Sequence, residues 1–164
     1  MGRTARGVRG INLAAGHKLI SLIVPKVAGR ILTVTEHGYG KRTENDEFPA
    51  KGRGGKGVIA MSTSDRNGSL VGAVQVWDGD EMMLISNQGT AVRTRVDEVS
   101  LLGRNTQGVR VIRTRDGEAL VSVSRIAEDD VVAEPAESVV ADDPAVADPV
   151  VEDSVDSGSD ETQE

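Results

Sequence analysis

The chain has 164 residues and no cysteine, so neither a disulfide framework nor a cysteine-based zinc site is available. Two histidines, His17 and His37, do not make a metal centre by themselves. No apolar run approaches the length of a membrane span and the first residues lack the apolar core of a signal peptide, which predicts an intracellular, soluble protein.

The net charge of −7 conceals an opposition. All 19 Lys and Arg lie within residues 1–126 against 12 acids, whereas residues 127–164 hold 14 acids and no base. A basic body with an acidic tail points to a nucleic-acid surface and to an intramolecular competitor for it.

In chain order, Leu19–Val24 is a largely apolar run of strand length broken only by Ser21, and Ile31–Thr35 is a second such run that ends at the turn Glu36-His37-Gly38. Leu70–Trp77 and Met82–Ser86 follow as further strands. Asn67-Gly68 and Asp116-Gly117 carry hairpin-turn chemistry, since glycine takes positive φ at no steric cost. No stretch of residues 1–126 has helical periodicity over three turns, so the class is all-β. Residues 127–164 contain Pro135, Pro144, Pro149 and no aromatic, and are expected to be disordered because they bury too little to offset chain entropy.

A repeat organises the basic part. Gly2-Arg3-Thr4-Ala5-Arg6-Gly7-Val8 recurs as Gly52-Arg53-Gly54-Gly55-Lys56-Gly57-Val58 and as Gly103-Arg104-Asn105-Thr106-Gln107-Gly108-Val109, at spacings of 50 and 51 residues. Residues 31–61 and 82–112 match at nine of 31 positions without a gap, among them Gly38 with Gly89, Arg42-Thr43 with Arg93-Thr94, and Asp46-Glu47 with Asp97-Glu98. Four short strands per roughly fifty residues is the size of a propeller blade. The chain supplies about two and a half such units and opens in the middle of one, which predicts a fragment of a longer protein.

The middle copy of the loop satisfies G-x-G-x-x-G, but no strand precedes it and no helix follows, and Gly57 stands where a phosphate-binding loop needs Ser or Thr. No cofactor is expected in this chain. Gly52 and Gly57 recur in every copy and are assigned to turn geometry, whereas Gly54 and Gly55 with Lys51, Arg53 and Lys56 make a bare cationic tip that phosphates can approach.

Glu36-His37-Gly38-Tyr39-Gly40-Lys41-Arg42-Thr43, the Lys51–Val58 loop, Arg93-Thr94-Arg95 and Gly103–Val109 together resemble the C-terminal, DNA-wrapping domain of the A subunits of bacterial DNA gyrase. The similarity covers residues 1–126, and the acidic tail is typical of that family. The loop departs from the family's gyrase box, with Lys51 for glutamine and Gly52 for a base, and reads as a secondary, box-like loop.

The resemblance implies a partial β-pinwheel, the last blades of a six-bladed domain whose rim wraps DNA, followed by the acidic tail from residue 127. It implies double-stranded DNA as a partner, with the remaining domains of the gyrase A and B subunits in an A2B2 complex of the bacterial cytoplasm. The cleaving tyrosine, the ATPase site and Mg²⁺ belong to other parts of that enzyme. The equivalent domain of topoisomerase IV is the nearest alternative, and a protein-binding propeller of RCC1 or kelch type is the rival from another class.

Phosphate contacts are expected at Lys41, Arg42, Lys51, Arg53, Lys56, Arg93, Arg95 and Arg104, around the backbone of Gly54 and Gly55. With three aromatics in the chain, Tyr39, Phe48 and Trp77, base stacking is not expected as the main binding mode. Tyr39 is assigned to rim packing or a DNA contact and Trp77 to a blade edge. Asp46-Glu47 and Asp97-Glu98 are assigned to turns rather than catalysis, because neighbours on a strand face opposite ways.

Overall fold

The protein is described here by a computed structural model covering residues 2–128. Among the described residues seven strands form: β1 (Arg30–Thr35), β2 (Tyr39–Glu44), β3 (Leu70–Val76), β4 (Glu81–Ser86), β5 (Ala91–Arg95), β6 (Val109–Arg110) and β7 (Leu120–Ile126). The helical elements that lie wholly within the described residues are two single 3₁₀ turns, Asn45–Glu47 and Val96–Glu98, and the last described residue, Glu128, is itself helical. The expected disorder of the tail falls almost wholly on residues 129–164, outside the described residues.

One sheet has the order β3-β1-β2-β6 and the other β5-β4-β7, antiparallel throughout. Each grows from a hairpin, β1–β2 closed by Glu36–Gly38 and β4–β5 closed by Asn87–Gly89. To that hairpin the following unit adds a long strand. β3 pairs with β1 from Arg30↔Val76 onward, and β7 pairs with β4 from Glu81↔Ile126 onward. Even the register shift recurs, at Val34/Thr35 and at Ile85/Ser86. Sequence units and sheets are therefore out of phase: each sheet takes strands from successive units.

That phase corrects two expectations. Asn67-Gly68 and Asp116-Gly117 do turn the chain, with Gly68 and Gly117 both at φ +74°, but they lead into β3 and β7 and close no hairpin. Leu19–Val24 forms no strand, and Leu19, Leu22 and Val24 are 70%, 86% and 81% exposed. It stands 51 residues before β3, and no hairpin of the kind that receives β3 and β7 precedes it among the described residues.

Alternation places Leu32 and Val34 of β1, with Val76, opposite Met82, Leu84, Val96, Val99, Leu120 and Val123 in one core shared by the two sheets. Each such side chain contributes about 1.5–3 kcal/mol by leaving water. No helix among the described residues is long and apolar enough to cross a membrane.

At the start of β7, Glu118 is nearly buried and accepts hydrogen bonds from Ser86 Oγ (2.6 Å) and the Arg115 amide (3.1 Å). The Ser86 and Thr90 hydrogen bonds, followed by the Arg115 amide, hold its carboxyl at about 2 against an ordinary 4.5. A folded-state value below the unfolded one stabilises the fold above the unfolded value, and the gain disappears as pH falls from about 4.5 towards 2. Glu118→Gln is expected to lower the melting temperature at pH 7 and to flatten its acid dependence below pH 5. Parallel acid limbs for both proteins would overturn the assignment.

Candidate nucleic-acid interface

The three loop copies share their geometry. The closing glycines Gly7, Gly57 and Gly108 all take positive φ, at +84°, +75° and +76°. Gly52 does not, and a Cβ there meets nothing within 4 Å, so its recurrence does not arise from turn geometry as expected. The second and third loops lean on the segment of the unit before them: the Asn12 amide donates to Gly55 O (2.8 Å) and, one unit later, the Ser62 amide donates to Thr106 O (3.0 Å). The Gly54 amide donates to Gly10 O (2.9 Å), so the middle tip lies beside the stretch that carries Arg9.

At this tip Lys51, Arg53 and Lys56 are exposed, and none has an ion-pair partner among the described residues. Gly54 and Gly55 leave the tip open, the nearest atom to either added Cβ being a backbone oxygen 3.6 Å away. Three cations on a bare backbone with no carboxylate among them make a surface suited to an anion.

The structure removes Lys41 from the candidate contacts. Its side chain is wholly buried, and Nζ donates to Gly103 O (2.8 Å), Arg104 O (2.5 Å), Thr106 O (3.2 Å) and Thr106 Oγ1 (3.3 Å). Burial pushes this ammonium below its ordinary pKa. Lys41 is on the inner face of β2 with Tyr39 and Thr43, and the position one unit later is Val92. It organises the third loop copy from within.

Arg42 is also committed to the fold: Nε donates to Val99 O (2.7 Å), and Nη1 pairs with Asp78 (2.9 Å) and Asp97 (3.6 Å). Asp78 is held below the usual carboxylate range chiefly by its hydrogen bond from Arg30. Arg104 donates to the backbone oxygens of Glu47 and Ile59, and its amide is capped by the Glu47 carboxylate (2.6 Å). Arg53, one unit earlier, has no counterpart of Glu47 among the described residues. Arg93 pairs with Glu81 and Arg95 with Asp97 (3.3 Å), both on exposed β5 positions.

Asp46 and Glu47, like Asp97 and Glu98, stand in the recurring 3₁₀ turns, as their repetition predicts. Trp77 is stacked by Arg125 at 4.6 Å. His17 and His37 are exposed, and no group of three or more potential metal ligands occurs among the described residues.

Reasoning from the sequence missed Arg3 and Arg6, which are exposed and occupy the loop positions of Arg53 and Lys56 one unit earlier. The repeat register is the signal that finds them. It also missed Arg66 and Arg110, which meet at Tyr39.

A family model for the DNA gyrase C-terminal domain, a β-propeller, matches residues 1–26, 29–76 and 80–127. The gyrase A subunits of Pseudomonas aeruginosa and Escherichia coli K12 are 59% and 56% identical to the chain over 128 residues, 78% of its length. The chain spans 14% and 15% of those proteins. A solved gyrase A C-terminal domain superposes with a TM-score of 0.57 at 33% identity, over 60% of this chain and 33% of that one. The C-terminal domain of a topoisomerase IV gives 0.68 at 23% identity, over 76% and 39%, a likeness of fold alone. With recurring hairpins, out-of-phase strands and glycine loops all in place, the chain belongs to the DNA gyrase C-terminal domain family of β-propellers.

Proposed function

We propose that the chain binds and wraps duplex DNA as part of the C-terminal domain of a gyrase A subunit, through phosphate contacts without sequence preference. The observation that carries this reading is the unpaired cationic tip Lys51-Arg53-Lys56, placed against the Arg9 segment by backbone hydrogen bonds. Arg3 and Arg6 extend the charge one unit back, and Arg93, Arg95 and Arg104 add cations already engaged by the protein. Bending 20–30 bp costs on the order of 1–6 kcal/mol, and cations spread over successive units offset it by engaging phosphates along the curve.

Wrapping presents a neighbouring duplex segment to the cleavage gate of the parent enzyme. Strand cutting and ATP hydrolysis with Mg²⁺ then belong to the remaining domains of the A and B subunits in the A2B2 complex, and this chain supplies the DNA path.

The test is a mobility-shift titration of the full chain with linear duplex DNA at several salt concentrations. Binding is expected to fall steeply with salt and to ignore sequence. Arg53→Ala with Lys56→Ala is expected to reduce the slope of log K against log salt by about 1.8, at roughly 0.9 per phosphate contact. Absence of binding at low salt by a chain with intact β circular dichroism would reject the proposal.

A further inference from the structure

Tyr39 opens β2 and is only 4% exposed. Two arginines from distant parts of the chain converge on it. Arg66, in the turn before β3, donates from Nε to the phenolic oxygen at 3.2 Å, and Arg110, on the edge strand β6, donates from Nη2 to the same oxygen at 2.9 Å. Their guanidinium carbons lie 5.2 and 5.3 Å from the ring centroid. Both arginines are exposed, and neither has a carboxylate within 4.0 Å among the described residues.

Hydrogen-bond capacity decides what this cluster can bind. A phenol oxygen accepts two bonds and donates one, and here both acceptances are used by arginines. Each guanidinium retains further N–H groups, which have no protein acceptor among the described residues. The cluster therefore presents donors only. Donors sharing one oxygen at 3.2 and 2.9 Å stand within about 6 Å of each other, close enough for one tetrahedral oxyanion to engage both.

We propose that Arg66 and Arg110, pre-positioned by Tyr39, form a two-arginine clamp for a single phosphodiester of the DNA backbone, separate from the glycine loop. Tyr39 is a positioning residue: its ring and oxygen fix two flexible side chains in advance, so less rotamer freedom is lost on binding. Arg110 is on the outermost strand of its sheet, at an edge that a backbone phosphate can approach. The clamp rests on the DNA-binding reading above and adds a contact to it.

Two measurements on the full chain test it. In duplex titrations, Arg66→Ala with Arg110→Ala is expected to weaken binding about tenfold or more and to lower the salt slope by about 0.9, one phosphate rather than two. Tyr39→Phe keeps both charges and the ring, and is expected to weaken binding about threefold with no change of slope. Arg66→Lys with Arg110→Lys keeps the charge without the planar fork, and is expected to fall between wild type and the double alanine variant. Unchanged affinity and slope in a folded double alanine variant would overturn the clamp while leaving the wider reading intact.

The second measurement follows the arginine Nε–H resonances as inorganic phosphate is added. Saturable shifts at Arg66 and Arg110 that weaken in Tyr39→Phe support the clamp as an oxyanion site. Absence of shifts overturns it as an oxyanion site.

Discussion

Lys41→Met is expected to lower the urea midpoint of the chain by more than about 1 M while leaving the salt slope of DNA binding unchanged. Methionine preserves the bulk of the stem and removes the ammonium. Arg104 O then loses its one protein donor among the described residues, and Gly103 O is left with the Thr106 hydroxyl alone. A buried acceptor without a donor costs about 1–3 kcal/mol, so the loss is on the order of 3 kcal/mol. With an m-value of about 1–3 kcal/mol/M, that becomes a shift of about 1 M or more. A surface lysine that touches DNA behaves in the opposite way, with stability unchanged and the slope reduced by about 0.9. Denaturant melts and salt titrations of one variant thus separate the two roles, and the second pattern would restore Lys41 to the DNA contacts.

Gly108→Ala is expected to be the most damaging single-methyl change within the three recurring glycine-loop copies. Its φ of +76° costs an alanine about 1–2 kcal/mol. The new Cβ would also lie 2.6 Å from Gly40 O and 2.6 Å from Met61 Cε. The methionine methyl can swing away. The Gly40 carbonyl cannot, because its residue is paired on both sides, to Val34 of β1 and Val109 of β6. The β2–β6 pairing must open, for a total of about 3 kcal/mol or more.

Two other glycines calibrate the result. Gly117→Ala carries only the conformational cost, since φ is +74° and nothing lies within 4 Å, and Gly52→Ala carries neither cost. Melting temperatures ranked Gly52→Ala above Gly117→Ala above Gly108→Ala are expected. A Gly108→Ala chain as stable as Gly117→Ala would show that β2 yields.

The repeat, its strand-rich character and the turn glycines were legible in the sequence because they recur, and recurrence needs no knowledge of three-dimensional neighbours. The phase of the blades was not. Periodicity fixes the length of a unit, whereas only the pairing of β3 with β1 and of β7 with β4 says where a sheet begins.

Charge status was the other blind spot. Lys41 and Arg42 are adjacent and equally basic, yet one faces inward to carbonyls and the other reaches two carboxylates from a neighbouring turn and loop. The apolar Val92 at the position matching Lys41 was a usable hint that this side of β2 faces the interior. The Tyr39 cluster had none, because Arg66 and Arg110 lie 27 and 71 residues away and neither position follows the repeat at Tyr39.

The offset between units and sheets has a topological outcome. Suppose the backbone were severed between β2 and β3, for instance within the exposed Lys51–Lys56 tip. The first piece would hold the hairpin β1–β2, and the second would hold β3 and β6, its two neighbours in the same sheet. The pieces would remain clasped through both free edges of that hairpin, as two links remain joined when neither is opened. Covalent continuity along the loop is thus dispensable for keeping the body whole, which frees the tip from any duty to the fold and leaves its cations to answer to the contacts they make.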